Sequence, residues 1–429
     1  MLVRFCWTLV VGVAALILAP IANVVVSIGS AVAGRARDAA PGVRILDPQV
    51  QLQVLCEAPE QVTALAAYNG AKRGGEDVFV GTGKSGGVFR FLPNYRPEIL
   101  TPIALGLGDT VQFGTCAVSS LVLCDLNQDG TTDLVAETSQ IEPIGRPRLY
   151  AWSLSKPPVL LGVARPDIKS SWSHGLGFAF LTHQDTPSVF STFCGYGEII
   201  EYQVTRETTS SGFQMDGISW RQVGQLPTSG EQAATADADN DCQTDLCIAS
   251  GYSVGSAAIR IYEIGPEGIE SQPRHLINES GRFGNVRFLV GDLAADGTRD
   301  LVAWWCSDLA WGECEIIRYR FGAEGLRERT EIARGDAGEL WPLDNQMALA
   351  DIDDDGNPEV WFLTVAGNLW RYEPNKSPSA TPVCVIGGTG GPVVASIPDA
   401  GQRQCLYLGR DRSVLRVQSA SSSVTSSSF

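Results

Sequence analysis

The sequence predicts an all-β fold, a seven-bladed β-propeller, and three observations predict it. An apolar strand, a polar loop and a second apolar strand recur seven times along the chain. A short alternating strand follows each copy in phase. Beyond the N-terminal leader no stretch holds a 3.6-residue apolar period, so helices are not expected. Repeats of this length, each one small sheet that cannot bury both faces alone, bury them by packing radially against their neighbours.

The fullest copies are "VLCDLNQDGTTDLVAE" from 122, "ATADADNDCQTDLCIA" from 234, "LVGDLAADGTRDLVAW" from 289 and "ALADIDDDGNPEVWFL" from 348. Degenerate copies are "LAAYNGAKRGGEDVFVG" from 65, "FAFLTHQDTPSVFST" from 178 and "VVASIPDAGQRQCLYLG" from 393. The position held by Asp125 therefore falls at 68, 125, 181, 237, 292, 351 and 396. The strands that follow in phase are "VFRF" at 88, "LYAW" at 149, "IIEY" at 199, "IRIY" at 259, "IIRY" at 316, "LWRY" at 369 and "VLRV" at 414. Gly, Pro, Asp and Ser fill the segments between, as β-turns require.

The two ends of the repeat array predict how the ring closes. The last unit stops after "SVLRVQ" with no outer fourth strand, while "PQVQLQVLCEA" at 48–58 reads as a strand without a unit. Placed beside the last unit, it completes the seventh blade and removes an open edge. Residues 48–418 are then the propeller, 34–47 a linker, and the Ser-rich 419–429 a disordered tail.

The acidic loops fit a hard dication. Calcium takes six to eight oxygens, and a tight loop supplies them from side chains at positions 1, 3, 5 and 9 and a carbonyl at position 7, with glycine at 6 for the turn. The first loop offers Asp125, Asn127, Asp129, Thr131 (carbonyl) and Asp133. The second offers Asp237, Asp239, Asp241, Gln243 (carbonyl) and Asp245, with Cys242 where glycine is expected. The third has Asp292, Asp296, Thr298 (carbonyl) and Asp300 but Ala294 at position 3, so a weaker site is expected. The fourth has Asp351, Asp353, Asp355, Asn357 (carbonyl) and Glu359. The other three loops lack these carboxylates and are expected to be metal-free. Asp, Asn and Gly also favour turns without metal, but three loops with full spacing, in phase, weigh against that reading. Magnesium fits less well, because it demands near-octahedral geometry and keeps its waters.

These units resemble FG-GAP/VCBS repeats, as in the propeller head of integrin α-subunits, across roughly residues 60–418. Phe113-Gly114 and Phe283-Gly284 precede the loops at 125 and 292. The second half of the label is absent, and Val-Gly-Thr-Gly from 80 and Ile-Ala-Ser-Gly from 248 stand nearest to it. The resemblance implies calcium loops on one face of the ring and partner binding on the other. It fixes no ligand, because one fold serves many functions.

Charge and cysteine set the compartment and exclude one partner class. With 48 acidic against 32 basic residues the formal balance is −16, which argues against nucleic acid and suits a cation binder. Residues 5–34 carry no charge after Arg4, and Ala31-Val32-Ala33 offers a cleavage site. Residues 1–33 therefore read as a signal peptide or an N-terminal membrane anchor, and both place the rest outside the cytosol, secreted, periplasmic or at the cell surface. The chain has 11 cysteines, and ten remain once Cys6 of the leader is set aside. Cys306 and Cys314 are expected to pair across a hairpin; Cys242 with Cys247, and Cys56 with Cys384 or Cys405, are further possibilities.

The expected function is a protein- or glycan-binding module, as in adhesion. The alternatives are a polysaccharide lyase or hydrolase, and a membrane-proximal scaffold. No catalytic set is identified: the three histidines are His174, His183 and His275, and no serine-elbow or zinc motif occurs. "GTGKSGG" from 81 lacks the first glycine of a phosphate loop and is followed by a strand, so it reads as a hairpin turn. "RGD" at 334–336 reads as a chance tripeptide, and Asn278 and Asn375 begin glycosylation sequons.

Overall fold

Each repeat builds an antiparallel sheet, save that Ile397–Pro398 of the last repeat pairs parallel with Val62–Gly70 of the first, and the seven sheets form a seven-bladed β-propeller. The structure is a computed structural model. It describes residues 43–419 except 71–74, 84–86, 92–96, 100–114, 142–147, 155–158, 165, 168–178, 184–185, 194–195, 209–213, 252–255, 266–267, 280–282, 308–311, 323, 341–345 and 399–403. The leader, His174, Phe113-Gly114 and residues 420–429 lie outside the described residues.

Blade five shows the plan. Its strands are Asn285–Gly291, Asp300–Cys306, Glu313–Gly322 and Gly325–Asp336, paired in that order. The first strand of each blade faces the axis, and first strands of successive blades approach one another around most of the ring. The second strand is sandwiched between neighbouring blades. Hence Asp300–Cys306, Asp245–Ser250 and Glu359–Leu363 are buried at every position, not at alternate ones. The fourth strand faces solvent, and most of Gly325–Asp336 is exposed or partly so. Trp304, Trp305 and Trp361, on second strands, fill the space between blades.

Closely approaching backbone explains part of the glycine pattern. A Cβ on Gly251, the last residue of Ile-Ala-Ser-Gly, would lie 2.2 Å from the carbonyl oxygen of Gly284. Phe283 beside it is buried against Trp305, and its carbonyl accepts the Ala257 N–H at 3.2 Å. The Phe-Gly of blade five thus seals the seam to blade four.

The N-terminal strand closes the ring as its sequence predicts. Val50–Glu57 pairs antiparallel with Ser413–Ser419 as the outer strand of blade seven. The expected linker contributes as well. Arg44–Ile45 pairs with Thr381–Val385 of blade six, and Asp47 accepts from Arg371 at 2.8 Å. One segment therefore joins blades six and seven. A four-residue helix, Ala337–Leu340, follows the last strand of blade five.

Cys306 and Cys314 face each other in register and form a disulfide. Cys242, Cys247, Cys56, Cys384 and Cys405 are free thiols, so the other pairings considered above are not formed. The centre of "GTGKSGG", residues 84–86, lies outside the described residues; the strands that flank it, Gly75–Thr82 and Val88–Phe91, pair antiparallel. The "RGD" tripeptide ends a strand, with Arg334 held by Glu315 at 2.8 Å and Glu331 at 2.6 Å.

Candidate metal centres

All four acidic loops join the first and second strands of their blades, and their backbones share one shape. Positions 4 and 6 have positive φ in each: Gln128 and Gly130, Asn240 and Cys242, Ala295 and Gly297, Asp354 and Gly356. Cys242 adopts the glycine conformation with φ 70°. That places a β-carbon where L-residues rarely tolerate it. The carboxylate at position 1 holds the turn by accepting the N–H groups of positions 5 and 6. Asp125 accepts from Asp129 and Gly130 at 3.0 and 2.9 Å, and Asp351 from Asp355 and Gly356 at 3.1 and 2.9 Å. Asp237 and Asp292 repeat the arrangement. The carboxylate at position 5 accepts the N–H of position 7, which seats Thr131, Gln243, Thr298 and Asn357 beside it. Asn127 accepts from Asp129 N–H at 3.1 Å and donates to its carboxylate at 3.0 Å.

Position 9 separates three loops from the fourth. In the loops of blades two, four and six one carboxylate oxygen accepts the N–H of position 2. The pairs are Asp133 with Leu126 at 2.9 Å, Asp245 with Ala238 at 2.9 Å, and Glu359 with Ile352 at 3.0 Å. The other oxygen of each is buried and, among the described residues, has no hydrogen-bond partner. Asp239 and Asp353, at position 3, also bury one unpartnered oxygen each. An unpaired buried charge is costly, so groups so placed are expected to meet a cation or keep a proton. Burial, reinforced by the neighbouring carboxylates, pushes Asp133, Asp245 and Glu359 each up to about 7.

Carboxylate oxygens converge at two of these three loops; among the described residues no group of three forms around Asp133 of blade two. Asp237, Asp239 and Asp245 bring ligand atoms within 4.8 Å of one another, and so do Asp351, Asp353 and Asp355. A further set is Asp353, Glu359 and Glu373. Glu373 was not foreseen because it lies outside the loop, at the end of the third strand. Its signal was the register: Val360 pairs with Tyr372, so the next step sets Glu359 opposite Glu373. Hard oxygens alone, at this density, suit a hard cation.

Basic side chains border two of these sites. Lys376 reaches Asp353 at 2.7 Å, Asp355 at 3.0 Å and Glu373 at 2.7 Å. Arg274 reaches Asp239 and Glu263, both at 3.3 Å, and also contacts Asp241. His275 Nε2 lies 3.0 Å from Asp239, so this histidine belongs to the loop's surroundings. In the blade-five loop position 9 is different: Asp300 is held by Arg320 at 2.8 Å and by Arg318 at 3.0 Å.

Two cavities lie near these elements. One of about 400 Å³ opens beside the blade-six loop and is lined by Gln49, Asp353, Asp355, Arg371, Lys376 and Ser419 among others. One of about 180 Å³ lies among first strands and includes Ser120, Gln232, Arg287 and Gln346. No protein-family model matches the chain, and no curated protein matches it.

Proposed function

We propose that the chain is a calcium-stabilised propeller, akin to FG-GAP/VCBS repeat proteins, that works outside the cytosol by binding a protein or a glycan. The observation that carries the calcium reading is the same orphaned, buried carboxylate oxygen at position 9 of three loops. Bound there, calcium would neutralise the crowded carboxylates and fasten each hairpin tip. Asp125, Asn127, Asp129 and Asp133 would hold one ion; Asp237, Asp239, Asp241 and Asp245 a second; Asp351, Asp353, Asp355 and Glu359 a third. Backbone carbonyls at position 7 would complete each set. The Cys306–Cys314 disulfide is in keeping with an oxidising compartment.

Support for action by binding is architectural. A rigid ring presents its loops on two broad faces, a platform suited to macromolecular ligands. The calcium reading is tested by elemental analysis of the purified chain and by thermal melting with calcium and with chelator. A calcium-free protein whose melting ignores chelator refutes it. The binding reading is tested on glycan and protein arrays in both conditions. Silence on both arrays, with the protein folded, removes it.

A further inference from the structure

We infer that the guanidinium of Arg320 is the cation of the blade-five loop, standing where the loops of blades two, four and six would take a metal ion. The inference rests on the calcium reading of those three loops for the comparison, and on the geometry of blade five for itself.

Position 9 opens the second strand, and one residue of the third strand faces it. Asp133 faces Ser153, Asp245 faces Glu263, and Asp300 faces Arg320. The blade-six register sets Glu359 opposite Glu373. The facing residue is therefore neutral or acidic in three loops and basic in one.

Arg320 reaches the oxygens an ion would need. Its Nε lies 2.8 Å from one oxygen of Asp300, and Nη2 lies 3.1 Å from the other. Its Nη1 lies 3.1 Å from Asp296, at position 5. One planar fork thus spans positions 5 and 9, which a point charge on a flexible arm does not reproduce. Arg318 Nη2 adds a bond of 3.0 Å to Asp300. Asp300 is fully buried, yet neither of its oxygens is left unpartnered, unlike Asp133, Asp245 and Glu359.

Ala294 fits the same account. Position 3 supplies a ligand in the other loops, and an ion here would lack it. Asp292 still holds the turn through the N–H groups of Asp296 and Gly297, so the shape needs no metal. Three carboxylates face two guanidinium groups, and the loop is close to balanced without a dication. Lys376 at blade six differs. Its side chain is half exposed, and it leaves the second Glu359 oxygen without a partner.

The test uses the full chain and two readouts. Calcium uptake by equilibrium dialysis is expected to reach three ions per chain; uptake of four overturns the inference. Hydrogen exchange is then followed with calcium and with chelator. Chelation is expected to speed exchange at the N–H groups of Gly130, Cys242 and Gly356 but not at Asp296, Gly297 and Thr298. Equal acceleration in all four loops overturns it. Arg320→Ser is expected to speed exchange at Asp296, Gly297 and Thr298 at least tenfold in both conditions, with Arg320→Lys intermediate. Unchanged exchange in Arg320→Ser overturns it too. Should the wild-type chain take up no calcium, the calcium reading falls, and the exchange of Arg320→Ser still decides the role of this arginine.

Discussion

Replacing Asp245 by asparagine should change stability in opposite directions with and without calcium. The amide oxygen can keep the bond that Asp245 makes to the Ala238 N–H. The buried oxygen that lacks a partner is exchanged for an uncharged NH₂ group. Asp239, whose own unpartnered oxygen belongs to the same cluster, is there to accept from it. In chelator, near pH 8, the substitution should therefore stabilise the protein, by about 1 kcal/mol on the scale of one satisfied buried group. With calcium at about a hundred times its dissociation constant, an intact site adds roughly 2.7 kcal/mol. A loop whose position 9 turns an NH₂ toward the ion forfeits most of that. Set against the gain of about 1 kcal/mol, the variant should then melt below wild type by roughly 2 °C, a shift scaled from the unfolding entropy of a chain of this size. Differential scanning calorimetry in the two buffers reads both signs. A variant that is destabilised equally in calcium and in chelator would show Asp245 to be an ordinary structural carboxylate.

Three other outcomes follow from the same geometry. Asp133, Asp245 and Glu359 are raised by burial to about 7, so the folded metal-free chain holds their protons more tightly than the unfolded chain. That contribution is fully present below about pH 4 and is lost as pH rises through about 7. The melting temperature in chelator should fall, and its increase on adding calcium should grow, between about pH 5 and 8. A calcium increment that shrinks over that range would contradict the assignment. Cys242→Gly should stabilise the chain by about 1 kcal/mol by relieving the left-handed backbone, read as a higher melting temperature in either buffer. Lys376→Met removes a tethered ammonium from Asp353, Asp355 and Glu373 and should tighten calcium binding at the blade-six loop about fivefold by titration. Weaker binding would mean that the lysine organises the site.

Sequence showed the ring and the loops because both rest on local patterns. Alternation in "IIRY" and "IRIY" fixes strands, and the spacing of Asp125, Asn127, Asp129 and Asp133 fixes one turn. The strand at 50–57 was legible because a missing outer strand and a spare one are both visible in a linear string. What escaped, apart from the Cys306–Cys314 pair and the closing strand, were the relations across a ladder or between blades. Arg320 sits 20 residues from Asp300, and only the pairing register reveals that they face each other. Glu373 escaped for the same reason. The positive φ at position 4 escaped because Gln128, Asn240, Ala295 and Asp354 share no residue type. There the carboxylate at position 1, by accepting two N–H groups, dictates the backbone whatever side chain position 4 carries.

Position 4 also shows that the loops are not separate cups. Asn240 donates to the carbonyls of Arg299 and Phe321 at 3.1 and 3.2 Å and accepts the Arg299 N–H at 2.7 Å. The blade-four loop is thereby laced to the blade-five loop. Blade six is laced to blade seven in another way, with the Asp351 N–H donated to Gln404 at 2.8 Å. An ion in the blade-four loop would thus be felt at one amide beyond it, that of Arg299, while the Arg320-held turn next to it stays closed. Chelation should speed exchange at Arg299 in the wild-type chain and leave Asp296, Gly297 and Thr298 unmoved. In Asn240→Ala, Arg299 should exchange fast whether calcium is present or not, and the protein should lose about 2 kcal/mol for the bonds left unmade. If Arg299 in that variant still responds to chelator, the coupling runs through the blades themselves rather than through Asn240.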